Sequence, residues 1–406
     1  LGGFEKIEFR YLFLFSLFIL CMFTARSAVR LVMVLGAVAP IFVAYLPIHF
    51  SFEFKKAKEE NLRLLFGVLA VILIFLAGFV FIKDYRDIKN QAYNFIPSYY
   101  NQQWQKAMAW VRNNTSRDAV FAHWWDYGYW VQSIGERATV TDGGNAIVWW
   151  NYLTGRYVLT GDNQQDALDF LYSHNASYLL IDSSDIGKYG AFSSIGSDEN
   201  YDRFSSGPLT MLQDKREMQE TRNGTIRVYK GSYYIDEDII YQKNDTRIIL
   251  PSNKAAILGV IIETEKTNKT EKIKQAEGIF YYEGRQYRIP LKYVYFKDEL
   301  LNFSKGIEAV AYIIPRISQN SIDSLGALIY ISPRIKRGFL GQVYLLDDSF
   351  GNFPNFKLAH SEDNIFIDNI KKQGYEVDEF AYIAVSYTHL RAHETSLHLV
   401  CRLLLE

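Results

Sequence analysis

Between Leu64 and Ile82 the chain runs LLFGVLAVILIFLAGFVFI, nineteen residues without a single charge. A run of this kind leaves few folds open, because a helix needs about 20 apolar residues to cross a bilayer. Residues 31–50, LVMVLGAVAPIFVAYLPIHF, have the same length and character, and residues 11–25, YLFLFSLFILCMFTA, form a shorter apolar run. Three transmembrane helices are therefore expected, in a membrane end over residues 1–83. Lys6, Arg10, Lys55, Lys56, Lys58 and Arg63 fall on one side of these runs; Arg26, Arg30, Lys83, Arg86 and Lys89 fall on the other. The basic loop between the second and third runs puts that side in the cytoplasm. Asn-X-Ser/Thr triplets begin at Asn113, Asn114, Asn175, Asn223, Asn244, Asn268 and Asn302, all beyond the third run. Such triplets suit an outward-facing domain. The expectation is a multi-pass protein of the plasma membrane with an extracellular domain.

That domain has to stand on its own core. The chain has 406 residues and two cysteines, Cys21 and Cys401, so no disulfide framework can brace it. The roughly 300 residues after the membrane end suffice for a core. The net charge of −1 gives no footing for a nucleic-acid partner. The seven histidines are scattered, with no Cys/His spacing that would hold a metal.

Residues 83–98 read as a polar linker. Beyond it, NQQWQKAMAWVRN (101–113) has the 3–4 spacing of an amphipathic helix. Ala119–Ala122 reads as a short strand, 129–134 as a helix, 138–141 as a strand, Gln164–His174 as a helix and Ser177–Asp182 as a buried strand. This alternation predicts an α/β domain over 84–234. From Ile226 the pattern turns to short β-rich runs, which predict a second, β-rich domain over 235–385. The fold class is thus a membrane α-helical end, an α/β ectodomain and a β-rich C-terminal domain.

All seven tryptophans lie between Trp104 and Trp150, and His123–Trp130 reads HWWDYGYW. Two adjacent indoles followed by a carboxylate make a poor plain core segment. A strand would send Trp124 and Trp125 to opposite faces, and a buried Asp126 would need a partner. The stretch reads as a rigid loop around a small polar cleft, at the C-terminal end of a strand where α/β folds build their sites. Packing of a helix on a sheet remains the plain alternative.

The string Trp124-Trp125-Asp126-Tyr127-Gly128 resembles the WWDYG signature of the catalytic subunit of N-oligosaccharyltransferase, in its archaeal type. Asp185, Lys188 and Ile195 follow in the order of that family's second signature, D-x-x-K-x-x-x-M-x-x-I, with Phe192 in the Met position. The resemblance implies transfer of a whole glycan from a lipid-linked (dolichyl) phosphate donor to the Asn of an Asn-X-Ser/Thr acceptor polypeptide. It implies that Trp124, Trp125, Asp126, Tyr127, Gly128, Asp185, Lys188, Phe192 and Ile195 form the acceptor-peptide site. Asp126 would take the hydroxyl two residues after the acceptor Asn, and Ile195 with Phe192 or Lys188 would prefer the Thr methyl. Arg30 resembles the family's contact to the donor's lipid phosphate.

The family's Mn²⁺ or Mg²⁺ is held by acidic loops of upstream helices. Only Glu5 and Glu8 precede the second apolar run, so the ligands, and the catalytic residues with them, are expected in a missing N-terminal part. The piece alone is expected to be inactive. Another lipid-phosphate-dependent membrane glycosyltransferase, or a non-enzymatic membrane-anchored surface binding module, are the competing readings. Residues 386–406, SYTHLRAHETSLHLVCRLLLE, resemble a translated sequencing adapter and are expected to be foreign, outside the fold.

Overall fold

The computed structural model describes residues 9–27, 32–94, 100–243, 246–266, 271–318, 321–363, 365–372, 383–384 and 399–404. They fall into two compact units that divide between Tyr99 and Tyr100.

The first unit holds three helices, α1 (Phe9–Ser27), α2 (Val32–Lys56) and α3 (Glu60–Asn94). Their large apolar side chains are mostly exposed, as lipid-facing ones would be. Two of the three, α2 and α3, are long and apolar enough to cross a membrane. The apolar part of α1, Tyr11–Ser27, is shorter. Seventeen residues at about 1.5 Å each give roughly 26 Å, short of the roughly 30 Å hydrocarbon layer. The expectation of a linker is corrected at residues 83–94, which continue α3. The first Pro or Gly after Ile82 is Pro97, so nothing earlier interrupts the helical hydrogen bonds.

The second unit opens with α4 (Gln102–Asn114), whose first turn is capped by Asn101 Oδ1 accepting from the Trp104 amide at 3.1 Å. Trp104, Ala107, Met108 and Val111 make its buried stripe. Then follow β1 (Val120–Ala122), a 3₁₀ turn at Trp125–Tyr127, α5 (Gly128–Ser133), β2 (Ala138–Thr139), α6 (Val148–Leu153) and a π-helical turn at Thr154–Leu159. The half closes with α7 (Gln164–Ser173), β3 (Ala176–Asp182) and α8 (Ser184–Ile195). Strand β1 lies parallel to both β2 and β3. The C-terminal ends of β1 and β3 thus open side by side, and the loop after β1 meets the helix after β3.

The β-rich part comprises β4 (Leu209–Gln213), β5 (Gln219–Glu220), β6 (Gly224–Tyr234), the hairpin β7 (Ile239–Lys243) and β8 (Thr246–Leu250), β9 (Ala256–Lys266), β10 (Glu271–Tyr282), β11 (Arg285–Phe296), β12 (Glu299–Asn302), β13 (Ile307–Ser318) and β14 (Ser321–Ile331). Strands β11, β10, β9, β6, β4, β14 and β13 pair in that order, and β13 also pairs with β11. The sheet therefore closes on itself, which removes the edges that invite aggregation.

Both faces of β13 and β14 are covered. Val310, Tyr312, Ile314, Ile329 and Ile331 join the α/β core, while Ala311, Ile313, Leu328 and Tyr330 join the core within the closed sheet. Successive side chains of a strand point to opposite faces, so a strand buried on both sides reads as continuous apolar sequence.

After β14 come α9 (Pro333–Arg337), a π-helical turn at Leu340–Leu345, β15 (Phe356–Glu362), α10 (Ile365–Lys372), β16 (Ile383–Ala384) and β17 (Leu399–Leu404). The 234/235 boundary expected from sequence does not separate the two sheets. Strands β4, β5 and β6 lie before it yet belong to the β-rich sheet, whereas Leu340, Val343, Tyr344 and Leu345 lie after it yet pack in the α/β core. Residues 386–406 do not stand wholly outside the fold either. Strand β17 lies antiparallel between β15 and β3, in a five-stranded sheet of order β15-β17-β3-β1-β2.

Candidate functional site

Strand β1 ends at Ala122, and the chain is held as it leaves the sheet. The Val140 amide donates to Phe121 O at 2.9 Å, and the Thr141 hydroxyl donates to His123 O at 2.8 Å. The His123 ring is fully buried, its Nδ1 2.7 Å from Trp124 O, and burial lowers its pKa to about 4. It is therefore a neutral structural imidazole at physiological pH. Trp124 is extended, Trp125–Tyr127 make one 3₁₀ turn, and Gly128 starts α5. Gly128 is required by space: a Cβ there would stand 2.5 Å from both Cα and Cβ of Asp142 and 2.7 Å from Thr141 O. This close approach clamps the turn against the loop after β2.

Helix α8 presents the second string. Asp185, Lys188, Phe192 and Ile195 recur at 3–4 spacing and so share one face of the helix. Asp185 and Phe192 are buried, Lys188 is partly buried and Ile195 is 43% exposed. Gly155 permits the packing beside this helix, since a Cβ on it would lie 2.6 Å from Phe192 O. The Phe192 ring meets that of Trp124 at 5.8 Å.

Tyr127 joins the two strings. Its hydroxyl donates to Asp185 Oδ1 at 2.7 Å, accepts from the Lys188 ammonium at 2.8 Å and lies 2.9 Å from Ser184 Oγ. The ring, held 5.1 Å from that of the buried Trp104, also carries the Lys188 ammonium 4.5 Å from its centroid. Lys188 in turn pairs with Asp126 Oδ2 at 2.7 Å. Asp126 Oδ1 has no hydrogen-bond partner among the described residues, and the side chain is 26% exposed. The result is a carboxylate with one oxygen pinned and the other open, beside the partly buried ring of Trp125.

Beneath it lies a second acid. Asp182 ends β3, fully buried; its Oδ1 accepts from the Ser184 amide at 2.8 Å, and its own amide donates to Asp185 Oδ2 at 3.0 Å. Asp182 Oδ2 is buried without a partner among the described residues. Burial, then the nearby Asp185 charge, raise Asp182 to about 7. Burial also raises Asp185, with Lys188 opposing. Two buried carboxylates this close favour retaining a proton between them.

No family model matches the chain. Among curated proteins it is 27% identical over 199 residues to the dolichyl-phosphooligosaccharide-protein glycotransferase 1 of Pyrococcus horikoshii, covering 47% of this chain and 19% of that protein. It is 33% identical over 116 residues to the protein of the same name from Pyrococcus furiosus, covering 27% of this chain and 12% of that one. It is 31% identical over 98 residues to the dolichyl-diphosphooligosaccharide--protein glycosyltransferase subunit STT3B of Arabidopsis thaliana, covering 21% and 12%. The chain is an oligosaccharyltransferase relative. It spans about a fifth or less of the length of these curated relatives. Among solved structures it is similar to the Archaeoglobus fulgidus oligosaccharyltransferase tethered with an acceptor peptide containing the NVT sequon, with TM-score 0.37 and 14% identity, covering 84% of this chain and 33% of that one.

In this oligosaccharyltransferase relative the nine residues expected at the peptide site come together, in two layers. Trp125, Asp126, Lys188 and Ile195 keep exposed surface, whereas Trp124, Tyr127, Gly128, Asp185 and Phe192 are buried and support them. Phe192, expected as a pocket wall, offers no surface of its own. Arg30 lies outside the described residues. The sequence alone does not mark Asp182 or Ser184 for the site, and it marks Trp104 only as part of a helix stripe. For Asp182 a signal existed, a carboxylate closing the apolar strand ASYLLID three residues before Asp185. Among the described residues no three His, Cys, Asp or Glu side chains gather to hold a metal. These residues do not fit Mn²⁺ or Mg²⁺.

Proposed function

We propose that this chain supplies the acceptor-recognising part of an enzyme that transfers a glycan from a dolichyl-phosphate-linked donor to Asn in Asn-X-Ser/Thr polypeptides. The observation that carries this reading is the open Oδ1 of Asp126, beside Trp125 and pinned through Oδ2 by Lys188. An ionised carboxylate accepts at both oxygens, so the Ser or Thr hydroxyl two residues after the acceptor Asn donates to Oδ1 without displacing Lys188. A site built to bind a hydroxyl rejects its absence by up to about 10⁴-fold. The exposed Ile195, on the same face of α8, offers a small apolar contact for the Thr methyl, a preference of about 1–3 kcal/mol at most.

The rest of the reading concerns the first unit and what lies outside the described residues. We infer that α1 spans the membrane together with α2 and α3, that the protein is multi-pass in the plasma membrane, and that the second unit is extracellular. Arg30 would meet the donor's phosphate, because a guanidinium fork suits phosphate oxygens. The divalent ion of the transfer step, Mn²⁺ or Mg²⁺, would take its ligands from outside the described residues. The source of residues 386–406 is proposed to be foreign to the gene.

Peptide binding tests the central claim. The chain in detergent should bind an Asn-X-Thr peptide more tightly than its Asn-X-Ala counterpart. Asp126→Ala should weaken the Thr peptide by about tenfold or more, since a hydrogen bond to a charged group is worth about 1.5–3 kcal/mol. Ile195→Ala should bring the Thr peptide down to the level of the Ser peptide and leave the Ser peptide unchanged. Equal binding of Thr and Ala peptides by the unaltered chain would reduce HWWDYGYW to a packing cluster.

A further inference from the structure

A second site lies in the β-rich part, and its lining includes none of the residues expected at the peptide site. It is a cavity of about 730 Å³, within the range typical of ligand pockets. Tyr233, Tyr234 and Tyr281 line it with Asp236, Asn253 and Lys254. The rings of Tyr234 and Tyr281 are exposed. Asp236 is buried, and its Oδ2 accepts from the Ser332 hydroxyl at 2.5 Å. Asn253 adopts the left-handed conformation at φ 58°, and its amide donates to Ile235 O at 3.0 Å, which turns the lip of the cavity back onto β6. The exposed Lys254 ammonium has no ion pair or hydrogen bond among the described residues.

The lining selects among ligand classes. A lipid chain would leave Asn253 and Lys254 facing hydrocarbon with no partner, which is unfavourable. A polyphosphate would meet one lysine and a carboxylate, where such ligands call for several cations. A pyranose suits the mixture: its C–H faces lie on tyrosine rings, which present an apolar body and a polar rim. Its hydroxyls both donate and accept, as Asp236 and Asn253 require. The free ammonium of Lys254 has an obvious complement in a sugar carboxylate. We propose that this cavity is a saccharide-binding site that takes an acidic oligosaccharide, with Tyr234 and Tyr281 stacking on the rings and Lys254 pairing the uronate. The site lies on elements that hold neither motif and does not depend on the peptide-site reading.

The test uses the full chain in a zwitterionic detergent without a sugar head group. Binding is measured calorimetrically for hyaluronan tetrasaccharide, for the neutral chitotetraose and for tetraglutamate. Hyaluronan tetrasaccharide should bind more tightly than chitotetraose, and tetraglutamate should not bind. Lys254→Ala should remove the preference for the acidic sugar and leave chitotetraose unchanged. Tyr281→Ala should weaken both sugars by about tenfold, with Tyr281→Phe restoring them. Circular dichroism and the thermal midpoint check that each variant is folded. No binding of either sugar, sugar binding indifferent to both substitutions in folded protein, or tetraglutamate binding as well as the uronate would each overturn the proposal.

Discussion

At the scale of single residues the site depends on contacts that have no slack. Gly128 is the clearest case. Its missing Cβ would overlap the backbone of Asp142, and backbone cannot rotate out of the way as a side chain can. Gly128→Ala should destabilise the second unit by about 1–3 kcal/mol, the usual cost of overpacking. Urea unfolding followed by tryptophan fluorescence measures it, since all the tryptophans lie in this region. An unchanged midpoint would mean that the 141–142 loop shifts freely. Tyr127 is as constrained in polar terms, for one hydroxyl serves Asp185, Ser184 and Lys188 together. The ion pair of Lys188 with Asp126, both about a quarter exposed, contributes little by itself to stability. Its consequence is orientation, leaving one oxygen of Asp126 open.

At the scale of elements, the junction of β3 and α8 sets the electrostatics. Asp182 is raised to about 7 by burial and by Asp185, against an ordinary value of 3.8. Between these values the folded chain keeps a proton that the unfolded chain has released. The stabilising contribution of this group is therefore full below about pH 4 and is lost as pH rises through about 7. Asp182→Asn stays neutral throughout. Relative to that variant, the unaltered chain should lose stability from about pH 4 to about pH 7 and level off above it, read as urea midpoints of the two proteins. His123 acts in the opposite direction, losing stability as pH falls from 6.5 towards about 4, but it is common to both and cancels. A difference that stays flat with pH would show that Asp182 ionises normally.

At the scale of the whole molecule two expectations remain to be measured. The C-terminal end of α3 should face outward. A cysteine replacing the exposed Asn90 should react with an impermeant thiol reagent in sealed cells, and reaction only after permeabilisation would reverse the topology. The second concerns strand β17. Without it β3 and β15 present two unpaired edges facing one slot, and backbone hydrogen bonds accept any apolar strand of suitable length. If residues 386–406 are foreign, ending the chain at Val385 should leave the thermal midpoint of the second unit unchanged. A clear fall in the midpoint would make β17 an integral strand.

Much of this molecule was legible along the chain. The apolar runs determined two long membrane-type helices, because bilayer thickness sets a length that sequence shows directly. Periodicity determined α4, α7, β3 and the general turn from α/β to β, because local hydrogen bonding needs only local residues. The strings at 124–128 and 185–195 marked the candidate site. Tertiary structure alone decided the rest. Closure of the β sheet rests on β11 meeting β13, a pairing that no local pattern encodes. The traffic of β4, β5 and β6 into one sheet, and of 340–345 into the other core, depends on which faces remain to be covered. The division of the site into exposed and supporting residues followed from depth, which spacing does not carry. Asp182 gained its proton affinity only when β3 delivered it, dry, beside Asp185 and Tyr127: a carboxylate's charge is decided by the water that folding removes.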